Sequence, residues 1–316
     1  MLSMGKRASR STAGACTAAI SLAMRRAWSR ASSKSGLAVG IRGGSGCCLK
    51  YVGKEKACGG LQHGSGKDPM AWDYRGLANR RRPPGPSGPM TTIAGSTVSC
   101  ARVPQPRLLV VLLHGYGMQA GDLLPFASVL PPEAACCFPQ AAIPLDDGGW
   151  TWWPVDRRLR EASLRAGPRD LHDTHPPGRE AARAQVAAVC RELRARHPGL
   201  PLLLGGFSQG GMLACETVLH GDCEPQGLAL LSASRIAFDE WQPLGHRLRG
   251  LPVLQAHGES DGNVSHAAAV ALRGFLEAAG AQVDWLSFDG GHGLPLPVWR
   301  RMKRFAQALL APSAGD

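Results

Sequence analysis

The stretch LPLLLGGFSQGGMLACETVLH, Leu200–His220, restricts the folds open to this chain more than any other. An apolar run pinches to Gly205-Gly206, presents Ser208, pinches again at Gly210-Gly211, and turns apolar once more. A surface loop would explain the glycines but not the apolar approach and exit. A sharp bend from a buried strand into a helix, with a hydroxyl at its tip, explains both. In such a G-x-S-x-G bend (Gly206, Ser208, Gly210) side chains at the flanking positions would collide with neighbouring backbone. With 40 glycines, a chance match is expected in roughly one such chain in three. The context therefore carries the reading: PLLLG before the serine supplies the strand and MLACETVL after it the helix.

The same alternation extends over the chain. RLLVVLLHG (Arg107–Gly115) is an uninterrupted apolar run closed by glycine, which predicts a strand buried on both faces. AACCFPQ (Ala134–Gln140), GLALLSA, LPVLQAHG and QVDWLSF predict further strands. Val186, Val189 and Leu193 recur at helical spacing, and helices are predicted again in HAAAVALRGFLEAAG and PVWRRMKRFAQALL. Strands alternating with helices predict an α/β class fold with a mostly parallel, doubly wound sheet. The expected catalytic domain is 90–316.

A serine hydroxyl is a weak nucleophile that needs a base, and the base needs a carboxylate to orient it. Asp261 follows an apolar strand in LQAHGESDGNV, with Glu259 near enough to compete for the acid role; Asp261 is preferred. His292 follows another strand in WLSFDGGHGLP and is preferred as base over His246, His257 and His266. The order Ser208, Asp261, His292 places all three at carboxyl ends of strands. Negative charge developing on a substrate oxygen needs backbone N–H donors. Gln209, directly after the serine, is one expected donor. Tyr116, between Gly115 and Gly117 in LHGYGMQAGD, is the other.

With these residues in view, LLHGYG, FPQAA, GGFSQGG, HGESDGNV and GGHGLP resemble the phospholipase/carboxylesterase family of α/β-hydrolases, which includes acyl-protein thioesterases. The resemblance runs from about Arg107 to Leu310. It implies an α/β-hydrolase sheet, Ser208, Asp261 and His292 as a triad, and Tyr116 and Gln209 as oxyanion donors. It also implies hydrolysis of small carboxylic esters, acyl-lipids or acyl-thioesters without a cofactor or metal. Gly293 departs from the acidic residue that family members often carry after the histidine. The Trp-rich GGWTWW segment resembles bacterial esterase-like members more than eukaryotic thioesterases. A peptidase of the same fold would carry a second domain shielding the site, and a binding module would lack a triad member. Trp152 and Trp153 are expected to bind substrate as walls of an acyl pocket, with core packing the alternative.

Composition divides the chain. The net charge of +12 resides in residues 1–89, where 16 Lys/Arg face three acidic residues; residues 90–316 carry 20 Lys/Arg against 21 Asp/Glu. The positive balance therefore gives no reason to expect a specific nucleic-acid partner for the catalytic part. Residues 1–89 are rich in Gly, Ser, Arg and Pro and too poor in apolar residues to offset ordering entropy, so a disordered basic head is expected. An organelle-targeting peptide, a basic arm, or a native start at Met90 would each account for it. The abrupt change in lysine usage at that methionine favours the last. No window reaches the length of a membrane-spanning apolar helix. The ten cysteines show no C-x-x-C spacing, which favours free thiols and a cytoplasmic location.

Overall fold

All six residues of Leu108–Leu113 are buried, and their side chains alternate between two cores. Leu109, Val111 and Leu113 enter one; Leu108, Val110 and Leu112 enter the other. A strand covered on both faces has no polar positions to spare, which is why its sequence is continuously apolar. The structure is a computed structural model that describes residues 90–311, apart from Arg102 and Asp147. The expected disorder of the basic head lies outside the described residues.

Ten strands occur among the described residues. They are β1 (Met90–Ile93), β2 (Ser96–Ala101), β3 (Leu108–Leu113), β4 (Ala134–Pro139), β5 (Ile143–Pro144), β6 (Trp150–Thr151), β7 (Leu202–Phe207), β8 (Gly227–Leu231), β9 (Pro252–Gly258) and β10 (Gln282–Phe288). Eight form one sheet in the order β1-β2-β4-β3-β7-β8-β9-β10. The pairings from β4 to β10 are parallel, and only β2 runs against the rest. Helices α1 (Arg157–Ala166), α2 (Arg179–Arg196), α3 (Gln209–Leu219), α4 (Phe238–Leu244), α5 (His266–Ala278) and α6 (Leu296–Leu310) complete the elements, with 3-10 turns at Ala120–Val129 and Gly245–Leu248. Residues of α2, α3 and α5 share one core. Those of α6 and the Ala120–Val129 turn share the other, where Phe126 stacks on Trp299 at 3.8 Å between centroids. This is the mostly parallel, doubly wound sheet expected.

Two features escape periodicity. The β1–β2 hairpin lies ahead of the first strand legible in the sequence. Its turn residues Ala94 and Gly95 both have positive φ (47° and 74°), a turn usually advertised by Asn-Gly, and its strands are Thr- and Ser-rich rather than alternating. Helix α1 buries no residue, and its apolar Leu159 borders a cavity rather than the core; Asp156 caps it by accepting the Leu159 N–H at 3.0 Å.

Candidate active site

Strand β7 meets α3 at Ser208, whose backbone takes φ 54° and ψ −117°, a conformation that non-glycine residues rarely adopt. The bend is held by the Ser208 N–H donating to the Leu231 carbonyl at 2.8 Å and by the Met212 N–H donating to the Ser208 carbonyl at 3.1 Å. The glycines around it have steric reasons. A Cβ on Gly206 would lie 2.4 Å from the Gly210 carbonyl carbon, and one on Gly210 would lie 2.3 Å from the Leu113 carbonyl oxygen. The bend can therefore press against the end of β3 only if both positions lack side chains.

Asp261 and His292 lie on the loops after the neighbouring strands β9 and β10. Gly258 lets these loops touch, since a Cβ there would lie 2.4 Å from the Gly291 carbonyl oxygen. The Glu259 N–H donates to Phe288 and the Ser260 N–H to Gly290, at 2.9 and 3.0 Å. His292 Nδ1 is 2.7 Å from Asp261 Oδ2, and His292 Nε2 is 2.9 Å from Ser208 Oγ. Asp261 Oδ1 accepts the N–H groups of Asn263 (2.8 Å) and Val264 (3.0 Å). Burial pushes the Asp261 carboxyl up, but the bond from His292, the histidine's charge and the two backbone donors outweigh it and hold it below the usual carboxylate range. An ionised Asp261 fixes the proton on Nδ1 and leaves Nε2 to accept from the serine. Such a line can pass the serine proton to the ring. Glu259 points elsewhere: its Oε1 accepts from Ser287 Oγ at 3.0 Å.

A second buried histidine stands behind the carboxylate. His257 Nε2 is 3.1 Å from the Val264 carbonyl oxygen and 3.3 Å from Asp261 Oδ2. Burial pushes the ring down, and the Val264 bond and Asp261 only partly oppose it, so His257 stays below its ordinary value. Nothing in the strand pattern of LQAHG marks that histidine as a brace.

The Trp-rich segment organises the opposite wall. The Gly117 N–H donates to Trp150 and the Trp150 N–H to Met118, at 2.9 and 3.0 Å, which pairs the Tyr116 loop with β6. Gly149 permits this approach, since a Cβ there would meet the Gly117 carbonyl oxygen at 2.4 Å. The Gln209 side chain is tied to the same segment. Its Oε1 accepts the Trp152 N–H at 3.1 Å, and its Nε2 donates to Thr151 Oγ1 at 2.9 Å. The Gln209 backbone N–H opens α3, where intrahelical acceptors are lacking and the helix dipole is positive. Below the Tyr116 loop, the buried His114 accepts the Ala141 N–H on Nε2 at 3.2 Å.

The two tryptophans diverge. Trp153 lines a cavity of about 340 Å³ that also reaches Ser208, Gln209, His292 and Tyr116. Its further walls include the apolar side chains of Leu171, Met212 and Ile236. Trp152 is absent from that lining. Its indole N–H donates to the His114 carbonyl at 2.8 Å and its ring packs in the core, 2% exposed. Both rings belong to the same core cluster, Trp153 at 5% exposure, and only Trp153 also reaches the edge of that core where the cavity opens. Arg160 and Arg169, which no motif marked, also line the cavity.

Among the described residues no group of histidine, cysteine and acidic side chains is placed to hold a metal, and no helix is long and apolar enough to cross a membrane. The six described cysteines are free.

The profile of the family described as phospholipase/carboxylesterase matches residues 94–310. Acyl-protein thioesterase 1 of Neurospora crassa is 28% identical over 108 residues, which is 33% of this chain and 44% of that protein. The chain thus spans under half the length of this curated relative. Among solved structures, esterase PE8 matches with a TM-score of 0.56 at 24% identity, covering 71% of this chain and 98% of that one. Acyl-protein thioesterase 2 of Zea mays matches with a TM-score of 0.54 at 21% identity, covering 68% and 99%. At such identities the structural matches speak for the fold. The matched span contains the whole parallel part of the sheet and every loop described above. This chain belongs to the phospholipase/carboxylesterase family, with an α/β-hydrolase fold.

Proposed function

We propose that the protein is a serine hydrolase that cleaves small carboxylic esters through an acyl-enzyme. The observation that carries the reading is the hydrogen-bonded line from Ser208 through His292 to the buried Asp261, opening onto a largely apolar cavity. Ser208 Oγ attacks the ester carbonyl while His292 Nε2 takes its proton. Asp261 keeps the other ring proton on Nδ1 and stabilises the imidazolium. The backbone N–H groups of Gln209 and Tyr116 receive the oxyanion. Collapse of the intermediate expels the alcohol, which takes the proton back from His292, and water repeats the sequence on the acyl-enzyme. Trp153 walls the acyl side. The scheme needs no cofactor or metal.

The first test is covalent. A fluorophosphonate is expected to label Ser208, and Ser208→Ala is expected to lower kcat by about 10⁴–10⁶ without unfolding the protein. Labelling that survives the substitution would remove Ser208 from the role. An acyl-thioesterase is the second reading, favoured by the names of the Neurospora crassa and Zea mays relatives. Rates on oxygen esters and thioesters of one acyl chain separate the two. The six described cysteines are free thiols, which suits a reducing compartment, and the cytoplasm is the proposed location.

A further inference from the structure

The cavity that reaches Ser208 is apolar over most of its wall, yet two guanidinium groups open onto it. Arg160 projects from α1, and its Cζ lies 4.6 Å from the centroid of the Tyr116 ring. Arg169 follows that helix and is stitched to the loop that carries Asp261. Its N–H and its Nε both donate to the Asn263 carbonyl at 3.2 Å, and its own carbonyl accepts the Ser265 N–H at 2.9 Å. Among the described residues neither arginine has an ion-pair partner, whereas Arg179, Arg183, Arg235, Arg273 and Arg301 all do.

The acidic groups nearby keep their charge but have hydrogen-bond partners of their own. Asp261 is engaged by His292 and two backbone donors, and Asp156, on the same cavity wall, caps α1 through Oδ1. Burial and the like charge of Arg160 push the Arg169 guanidinium down, and Asp261 only partly offsets them. Two like charges on one partly desolvated wall repel each other. The arrangement is relieved when an anion lies between them, because guanidinium groups bind carboxylate and phosphate oxygens through charge-assisted hydrogen bonds.

We propose that Arg160 and Arg169 form an anion subsite that makes the enzyme selective for ester substrates carrying a carboxylate or phosphate group. This rests on the serine-hydrolase reading for the reaction but not for the binding. The apolar lining takes the hydrocarbon part of the substrate, and the arginine pair takes the charged group. Among the described residues Arg160 is held by its helix and the Tyr116 ring, so it can adjust to the anion. Arg169 is fixed by the Asp261 loop and sets the position.

The test uses the full chain and has separate binding and hydrolysis arms. Octyl phosphate and octanol are titrated calorimetrically as matched phosphate-bearing and neutral probes. The monoethyl ester of octanedioic acid and ethyl nonanoate serve as matched carboxylate-bearing and neutral substrates. The expected result is a preference of about 10- to 100-fold for the anionic member in Kd or in kcat/KM. The arm that shows it identifies phosphate or carboxylate as the recognised group. The preference should collapse to under about threefold in the Arg160→Gln/Arg169→Gln double variant. Should that variant unfold, Arg160→Glu replaces it, because Arg160 is partly exposed on α1; the expected result is then a reversed preference. Anionic and neutral probes bound and cleaved alike by the wild type overturn the proposal, as does a preference that survives loss of both arginines. Failure to cleave either ester, with arginine-dependent binding of octyl phosphate intact, overturns the hydrolase reading and leaves the subsite standing.

Discussion

Asp261 and Glu259 sit two positions apart on one loop, yet they face different partners. Asp261 turns inward to His292 and two backbone N–H groups, while Glu259 meets Ser287 near the surface. Asp261→Asn is therefore expected to keep the fold but cut kcat by about 10³–10⁴, because an amide lets the imidazole settle in the wrong tautomer. Glu259→Gln is expected to leave kcat within a factor of about two. Parallel kinetics on the two variants decide the assignment, and equal losses would assign both residues to structure. Trp152 and Trp153 differ in the same way. Trp153→Ala is expected to widen the cavity and shift preference toward longer or bulkier acyl chains, by about 1–3 kcal/mol for each methylene accommodated. Trp152→Ala is expected to lower stability by about 3–5 kcal/mol without moving the chain-length profile, since its ring is a core member that does not line the cavity. Chain-length profiles and thermal midpoints of both variants check these expectations, and an unchanged profile for Trp153→Ala would return it to core packing.

The junction of β7 with α3 depends on glycine more than on any side chain except Ser208. An alanine methyl at Gly210 would lie 2.3 Å from the Leu113 carbonyl oxygen and 2.6 Å from that of His114, both backbone atoms that cannot rotate away. Gly210→Ala is expected to cost about 1–3 kcal/mol and to abolish most activity, because relief of the clash moves Ser208 or the Tyr116 loop. Gly274 provides the contrast. It lies within α5, is exposed, and a Cβ there meets nothing within 4 Å. Gly274→Ala is expected to stabilise by about 0.5–1 kcal/mol through the helix propensity of alanine. Thermal denaturation of the two variants checks both signs. If Gly210→Ala melts with the wild type, the packing argument for the bend is wrong. Element by element, the parallel strands and the long helices were readable because burial on two faces, or on one helical stripe, imposes a period. The β1–β2 hairpin and α1 were not, since the hairpin lacks alternation and the arginine-rich α1 buries no residue in the core.

For the molecule as a whole, every described element lies within Met90–Leu310, and the first is an edge strand whose Met90 pairs with Ser99. Ile93 of that strand is 2% exposed in the core. A chain starting at Met90 is expected to match the full chain in Tm and in kcat/KM on a neutral ester. It should also lose weak, salt-sensitive binding to polyanions, because residues 90–316 carry 20 Lys/Arg against 21 Asp/Glu. A chain starting at Ser96 is expected to be less stable, since it exposes β2 and removes Ile93. A Met90 start that melts early would show that residues 1–89 pack on the domain.

The fold class and the bend that presents Ser208 were legible in one dimension because strand burial, helical period and the glycine pinches are local demands. So was the placement of Ser208, Asp261 and His292, since each follows its own strand. The partners of Asp261, which of Trp152 and Trp153 lines the cavity, the braces from His257 and Gln209, and the two arginines on the cavity wall were not. Those depend on which loops touch once the sheet has formed. Contacts between residues such as Arg169 and Asn263, far apart in sequence, leave no periodic trace along the chain.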